Sequence, residues 1–138
     1  MKDTIKITIP IQPRTKKNSQ RIVIVRGRPM ILPSKLYKDY EKECGLYLPK
    51  IDTIKDKVEI TCLYFMQTRR KVDLTNLLEA TDDMLVHYKI IEDDNYNVIV
   101  SHDGSRVFYD KENPRTEIII RKIWIFAFLS FMWYIKSV

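Results

Sequence analysis

The sequence predicts an α+β domain with a single mixed β-sheet and two main helices. Three observations lead to this class. Short β-rich segments alternate with two segments of helical periodicity. The 138 residues are enough to bury a hydrophobic core without disulfides or a structural metal. A composition of 45% apolar and 30% charged residues is typical of a globular protein. We predict one domain over residues 1–122, followed by an apolar tail over residues 123–138.

The first part of the chain is expected to form a strand, a hairpin and a helix. In "TIKITIPI" (4–11) isoleucines alternate on one face, which is typical of a half-buried strand. "RIVIV" and "MIL" flank "RGRP", a pattern that predicts a hairpin with a basic tip. Ser34 is expected to cap a helix that runs to about Leu48.

The second part is expected to supply the central strand, a second helix and further strands. "KVEITCLYFM" (57–66) is β-branched or aromatic at many positions, which favours a strand buried on both faces. From Leu74 to about His87, leucines fall on one arc of a helix and Asn76, Glu79 and Asp83 on the opposite arc. The Asp-Gly pair in "SHDGS" predicts a second hairpin, and "TEIIIRKI" a closing strand.

The net charge of +6 is unevenly distributed. Residues 1–50 hold twelve Lys and Arg against four Asp and Glu, whereas residues 73–112 hold three against ten. Solvated surface explains either run by itself. A basic half joined to an acidic segment is also what a metal-dependent enzyme needs when it acts on a polyanion, since cations hold phosphate and carboxylates hold metal.

Several other classes of site are not supported. Cys44 and Cys62 lack CxxC spacing, so we expect core thiols in a reducing compartment and a cytoplasmic location. The two histidines form no HxH or HExxH motif, which argues against zinc. Three glycines are too few for a P-loop or a dinucleotide fingerprint.

The tail segment "IWIFAFLSFMWYI" (123–135) is nearly all apolar. It is shorter than the roughly 20 residues that a membrane-spanning helix needs. Three roles remain open for it: packing against the core or a second copy, an interfacial or marginal membrane anchor, and a non-native end.

A set of carboxylates follows the central strand. Asp73 stands between that strand and the helix, and Asp94 precedes the next β-rich segment. Capping or turn formation explains each one taken alone. If the segment after "EDDNY" pairs beside "EITCLYFM", however, Asp73 and Asp94 can share a divalent cation, with Glu79 or Asp83 assisting from the helix. Mg²⁺ suits hard oxygen ligands, and it can supply both a hydroxide and Lewis acidity for phosphodiester hydrolysis.

Cations surround these acids in the sequence. Arg69, Arg70 and Lys71 come directly before Asp73 and are expected to contact phosphate oxygens. Lys16, Lys17 and the hairpin tip at 26–28 are expected to follow a nucleic-acid backbone. The full set expected to bind DNA is Lys16, Lys17, Asn18, Arg69, Arg70, Lys71 and Asn76.

The run "RRKVDLTNLLEATDDML" and the following "IIEDDNYNVI", with "IPIQPRTKKNSQRI" near the start, resemble the RusA family of Holliday-junction resolvases. The similarity extends over about residues 4–122. It implies a RusA-like α+β homodimer, mostly known from phages and prophages. Such a dimer binds four-way or branched DNA and cuts two strands symmetrically with Mg²⁺, in recombination and repair.

Two positions depart from the family's pattern. By resemblance, Asp73 and Asp94 are catalytic residues and metal ligands, and Asn76 matches the motif's asparagine. Thr75 stands where the family has a second aspartate, and Glu79 where it has a lysine. One hypothesis is that Glu79 restores the lost carboxylate as a catalytic residue, with Asp83 as a further metal ligand. The rivals are a catalytically silent DNA-binding protein and a membrane-associated protein anchored by its tail.

Overall fold

The computed structural model describes residues 3–17, 21–123 and 132–138. Its elements occur in the order of an α+β fold, with a short 3₁₀ turn (Gly45–Tyr47) after the first helix and helical residues at 132–137. The elements are β1 (Thr4–Ile9), β2 (Arg21–Val25), β3 (Arg28–Leu32), α1 (Lys35–Cys44), β4 (Val58–Met66), α2 (Leu74–His87), β5 (Ile99–Ser101), β6 (Arg106–Tyr109) and β7 (Arg115–Lys122).

Five strands form one mixed sheet, so the predicted fold class is confirmed. The order is β1-β7-β4, with β5 and β6 both beside the outer edge of β4. Strand β7 is antiparallel to β1 and to β4, whereas β5 and β6 are parallel to β4. The carboxyl ends of β1, β4 and β6 therefore lie at the same end of the sheet, and the loops that follow them can meet there.

The core lies between one face of this sheet and the two helices. Ile60, Cys62 and Tyr64 of β4 alternate along that face and are fully buried. Their cluster includes Cys44 of α1 and Leu77 of α2. The opposite face of β4 carries Glu59, Thr61, Leu63 and Phe65, of which only Thr61 is buried. The helices thus cover one face of the sheet and leave the other partly open.

The predicted helix signals hold where local chemistry decides them. The Oγ of Ser34 accepts a hydrogen bond from Tyr37 N at 3.1 Å, which is the expected N-cap of α1. Helix α1 ends at Cys44, earlier than predicted. The β2–β3 hairpin is also present, and positive φ angles at Arg26 (52°) and Gly27 (75°) form its tip.

The second predicted hairpin is wrong. Strand β5 pairs with the start of β4 and β6 pairs with its end, both in parallel, so the chain continues in one direction past Gly104. The intervening loop is bonded to β4 by side chains, since Cys62 N donates to Ser105 Oγ at 3.0 Å. Thr61 Oγ1 also donates to the carbonyl of Asp103 at 2.8 Å. These bonds hold the loop in place, and no β-ladder joins β5 to β6. The Asp103–Gly104 pair forms an outward turn between these two strands, which lie on the same edge of β4.

Helix α2 is the crossover of a parallel β4-α2-β5 unit, so it begins at the carboxyl end of β4 and returns towards the amino end. A parallel bridge between Ile54 and Ile91 marks that return. Fourteen residues of helix span about 21 Å. Asp73 therefore precedes one end of the helix, and Asp94 follows the other.

The tail lies largely outside the described residues, because residues 124–131 are not among them. Within the part of the chain that is described, no helix has the length and apolar character needed to cross a bilayer.

Candidate functional site

A cationic cleft lies at the carboxyl ends of β1 and β4. The loops that follow these two strands are joined by a hydrogen bond from Gln67 N to Gln12 Oε1 at 2.6 Å. The cleft between them has a volume of about 480 Å³, and three cationic side chains, Arg14, Arg70 and Lys71, line it. Arg70 and Lys71 are residues that the sequence assigned to DNA, whereas Arg14 was not in that set. Only the meeting of two distant loops shows that Arg14 belongs with them.

Arg69 is held beside this cleft by an aromatic ring. Its guanidinium carbon lies 4.0 Å from the centroid of the Tyr109 ring at the end of β6. A cation over an aromatic face is attracted by the ring quadrupole and loses little hydration. The contact fixes the direction of the 67–71 loop relative to β6 and leaves Arg69 exposed.

Asp73 occupies the N-cap position of α2 but does not cap the helix with its side chain. Its backbone carbonyl accepts from Asn76 N and Leu77 N, and no helix N–H donates to its carboxylate. The amide Nδ2 of Asn76 donates to Asp73 Oδ2 at 3.3 Å. Asp73 and neighbouring Thr75 are exposed. Asp73 therefore takes the N-cap position without a side-chain cap, and its carboxylate is exposed beside the cationic loop.

The acidic arc of α2 is paired with the loop after β1. Lys16 Nζ lies 2.7 Å from Asp83 Oδ2, with about 30% of either side chain exposed. Lys17 Nζ lies 3.3 Å from Glu79 Oε2, where both side chains are about half exposed. The two lysines expected to bind DNA thus contact the two helix carboxylates expected to assist a metal. The partly buried Lys16–Asp83 contact fixes the loop more firmly than the exposed one.

Asp94 is electrostatically linked to Asp83. Partial desolvation raises the pKa of Asp94 above 3.8, and the negative charges of Asp83 and Asp93 raise it further. The Asp94 N–H donates to Asp93 Oδ1 at 2.8 Å, which forms the turn after α2. Asp94 thus feels the charge of Asp83, and Asp73 is hydrogen-bonded to Asn76. Among the described ranges, no three His, Cys, Asp or Glu side chains form a cluster that could hold a metal ion.

His102 makes an ionic contact that could not be predicted from the sequence. The His102 Nε2 lies 2.8 Å from Asp82 Oδ2, and Nδ1 lies 2.9 Å from the carbonyl oxygen of Ile60. The bond with Asp82 raises the pKa of His102 above 6.5, while partial burial opposes that rise. Burial raises the pKa of Asp82, and the bond with His102 opposes that rise. Because both ring nitrogens face acceptors, we assign His102 as the imidazolium. It links β4 to α2 through Asp82, the residue before Asp83.

Asn18, also expected to bind DNA, lies outside the described residues. The family model that matches this chain is described as endodeoxyribonuclease RusA, and the match covers residues 10–121. That range includes the cationic cleft, both lysines of the β1 loop, α2 and Asp94. No curated protein matches the chain.

Proposed function

The chain belongs to the RusA endodeoxyribonuclease family, and from this premise we propose that it is a Mg²⁺-dependent endonuclease that resolves four-way or branched DNA. We propose further that it acts as a homodimer, because two-fold symmetry presents two equivalent sites to two equivalent strands and permits paired nicks. The single observation that carries the proposal is the cationic cleft of Arg14, Arg70 and Lys71 beside the solvent-facing carboxylate of Asp73.

The cleft would hold the DNA backbone. Three cations at the ends of two parallel strands present charge to non-bridging phosphate oxygens, and the guanidinium groups of Arg14 and Arg70 can do so in bidentate fashion. Arg69 extends the same surface towards β6. Lys16 and Lys17 belong to the DNA-binding set as well, and they can reach phosphate only after leaving Asp83 and Glu79. Binding is therefore expected to weaken steeply as salt concentration rises.

The carboxylates fit a hard divalent cation, although they do not enclose one. Mg²⁺ usually retains several waters, and these can bridge it to carboxylates that do not contact it directly, so a closed cluster of three carboxylates is not required. Desolvation raises the pKa of Asp94, the charge of Asp83 raises it further, and the Lys16 ammonium lies 2.7 Å from Asp83. Asp73 is the third proposed ligand. When bound, Mg²⁺ would supply an activated water and charge stabilisation at the scissile phosphate.

The residues of the chain have separate tasks in this proposal. Asp73, Asp83 and Asp94 hold the cation, while Asn76 orients the Asp73 carboxylate through its 3.3 Å hydrogen bond. We retain Glu79 as the carboxylate that compensates for Thr75. Its partner Lys17 must be displaced for this, and both side chains are exposed enough to move.

A catalytically silent junction-binding protein is the second candidate. It is favoured by the threonine at position 75 and by the lack of a three-carboxylate cluster within the described part of the chain. This protein would keep the salt dependence of binding and would show no metal-dependent cleavage.

The deciding experiment compares cleavage of a four-way junction with cleavage of linear duplex, with and without Mg²⁺. Wild type should cut the junction only with metal, and Asp73→Asn, Asp83→Asn and Asp94→Asn should each lose at least 100-fold in rate, roughly the loss of a charged catalytic group. Asp3→Asn is the control and should cut normally, because Asp3 is exposed beside the amino end of β1, the end opposite the cleft. Junction binding without cutting by wild type would support the silent protein. Full activity of Glu79→Ala would refute compensation by Glu79.

A further inference from the structure

Three neighbouring strands carry a row of stacked groups across the open face of the sheet. Arg115 of β7, Phe65 of β4 and Phe108 of β6 are directly opposite one another in register. The Arg115 guanidinium carbon lies 3.7 Å from the centroid of the Phe65 ring. The rings of Phe65 and Phe108 are stacked at 17°, with centroids 5.0 Å apart. Their spacing matches the distance between strands, so the ring planes stand upright on the sheet, one behind the other.

This row is closed at one end and open at the other. Arg115 is fixed, because its Nη1 donates to Asp110 Oδ2 at 3.0 Å and to the carbonyl of Asn113 at 2.9 Å. Strand β6 pairs with β4 alone among the described strands, so the outer face of Phe108 looks beyond the edge of the sheet. Phe108 remains 40% exposed. The position beyond the outer face of Phe108 is therefore open, and a flat aromatic group placed there would extend the stack.

Cations border this position, and the nearby carboxylates of Asp110 and Glu117 are paired with Arg115. Arg106 lies two residues before Phe108 on the same face of β6, and it is exposed. Asp110 N donates to the carbonyl of Met66 at 2.9 Å, which places the end of β6 against the start of the cationic 67–71 loop. In the described part of the chain, neither Arg106 nor the cations of that loop make an ion pair with a carboxylate.

We propose that Phe108 stacks with an unpaired base of a single-stranded DNA segment whose phosphates contact Arg106 on the same face and pass around the end of β6 to the cationic 67–71 loop. Bases stack on exposed aromatic rings independently of sequence, because every base has a π face. The two inner layers hold the ring upright before binding, so little rotamer freedom is lost. A second copy of the chain is a weaker occupant, because the surrounding unpaired cations would repel their counterparts.

This inference rests on the proposed function, because base pairs open most readily at a branch point, but it can be tested separately. The probe is a short fluorescent oligo(dT) strand without Mg²⁺. Phe108→Ala should weaken its binding by roughly 5- to 150-fold, the effect of removing one base–aromatic stack. Phe108→Trp should bind as well as wild type or better. Val107→Ala is the control, because Val107 is on the same strand with 38% exposure but faces the other side.

A matched strand with abasic residues identifies the group that is recognised. Wild type and Phe108→Ala should bind this strand equally, since it retains the phosphates and lacks the bases. Equal binding of oligo(dT) by both proteins would overturn the inference. So would a loss that persists on the abasic strand, or a change of oligomeric state in Phe108→Ala at unchanged melting temperature, since the latter assigns the ring to a protein contact. Phe108-dependent oligo(dT) binding without junction cleavage would keep this site and reject the nuclease.

Discussion

Replacing His102 by Leu should destabilise the protein and remove a pH dependence from its stability. The substitution retains much of the volume and removes both donors. Asp82 then loses a charge-assisted hydrogen bond, worth about 1.5–3 kcal/mol, and the Ile60 carbonyl loses one of about 1 kcal/mol. Only 23% of the His102 side chain and 14% of the Asp82 side chain are exposed, so water can replace little of the lost hydrogen bonding. We expect a loss of about 2–4 kcal/mol in the free energy of unfolding, or roughly 10 °C in Tm.

The direction of the pH effect follows from the raised pKa of His102. The folded protein binds the imidazole proton more tightly than the unfolded chain does. The contribution of the pair is therefore complete below about pH 6.5 and is lost as pH rises through the folded-state pKa. In that window the stability of wild type should fall with a slope of up to about 1.4 kcal/mol per pH unit. Burial raises the pKa of Asp82 above 3.8, and the hydrogen bond with His102 opposes that rise.

Urea unfolding at a series of pH values measures this slope, and NMR titration of the imidazole protons gives the pKa directly. His102→Leu should show a flatter dependence between about pH 5 and pH 9. His87→Gln is the control, because His87 is exposed and lies 3.8 Å from Glu41. Parallel slopes for wild type and His102→Leu, or an ordinary imidazole pKa, would refute the assignment of a charged His102. An Asp82→Asn/His102→Leu double variant should recover part of the loss, since it removes the uncompensated carboxylate.

Three further predictions concern other parts of the molecule. Gly45→Ala should cost about 1–3 kcal/mol in unfolding free energy, because a Cβ there would lie 2.7 Å from the Tyr88 ring, whose hydroxyl donates to the Glu41 carbonyl. Gly27→Ala is the control. Its Cβ would meet no atom within 4 Å, so it should cost about 1 kcal/mol through the positive φ alone. Arg70→Gln should weaken duplex DNA binding and lower the slope of log affinity against log salt by about one, as measured by anisotropy. Lys16→Met should lower the free energy of unfolding by about 1 kcal/mol in urea titrations, because the partly buried Asp83 carboxylate loses the ammonium 2.7 Å away.

Much of the fold was predictable because local chemistry decides it. The cap at Ser34, the Arg-Gly hairpin tip and the apolar arc of α2 each depend on neighbours within a few residues. The hairpin predicted from the Asp-Gly pair is wrong. The turn that this pair favours can join two paired strands, or it can form an outward loop between two strands on the same edge of a sheet. Hydrogen bonds from β4, about 42 residues away in sequence, decide between the two.

The candidate site was less predictable for the same physical reason. Arg70 and Lys71 line a cleft as expected, but Arg14 joins them only because two parallel strands end together. The spacing of charges could not show that Lys16 pairs with Asp83 over 67 residues, or that His102 pairs with Asp82. The prediction that Asp73 and Asp94 share an ion stays a prediction. Asp73 precedes α2 and Asp94 lies in the loop beyond its other end, and the charges that raise the pKa of Asp94, after desolvation, are those of Asp83 and Asp93.

The pairing of the first strand with the last has a consequence for biosynthesis. Strand β1 has β7 as its partner, and β7 also covers the inner edge of β4. While the chain is on the ribosome, the hydrogen-bonding groups of β1 and of that edge of β4 remain open until residue 122 has left the exit tunnel. Such a nascent chain exposes aggregation-prone strand edges, so the sheet should close only after β7 has emerged and should depend on chaperones until then.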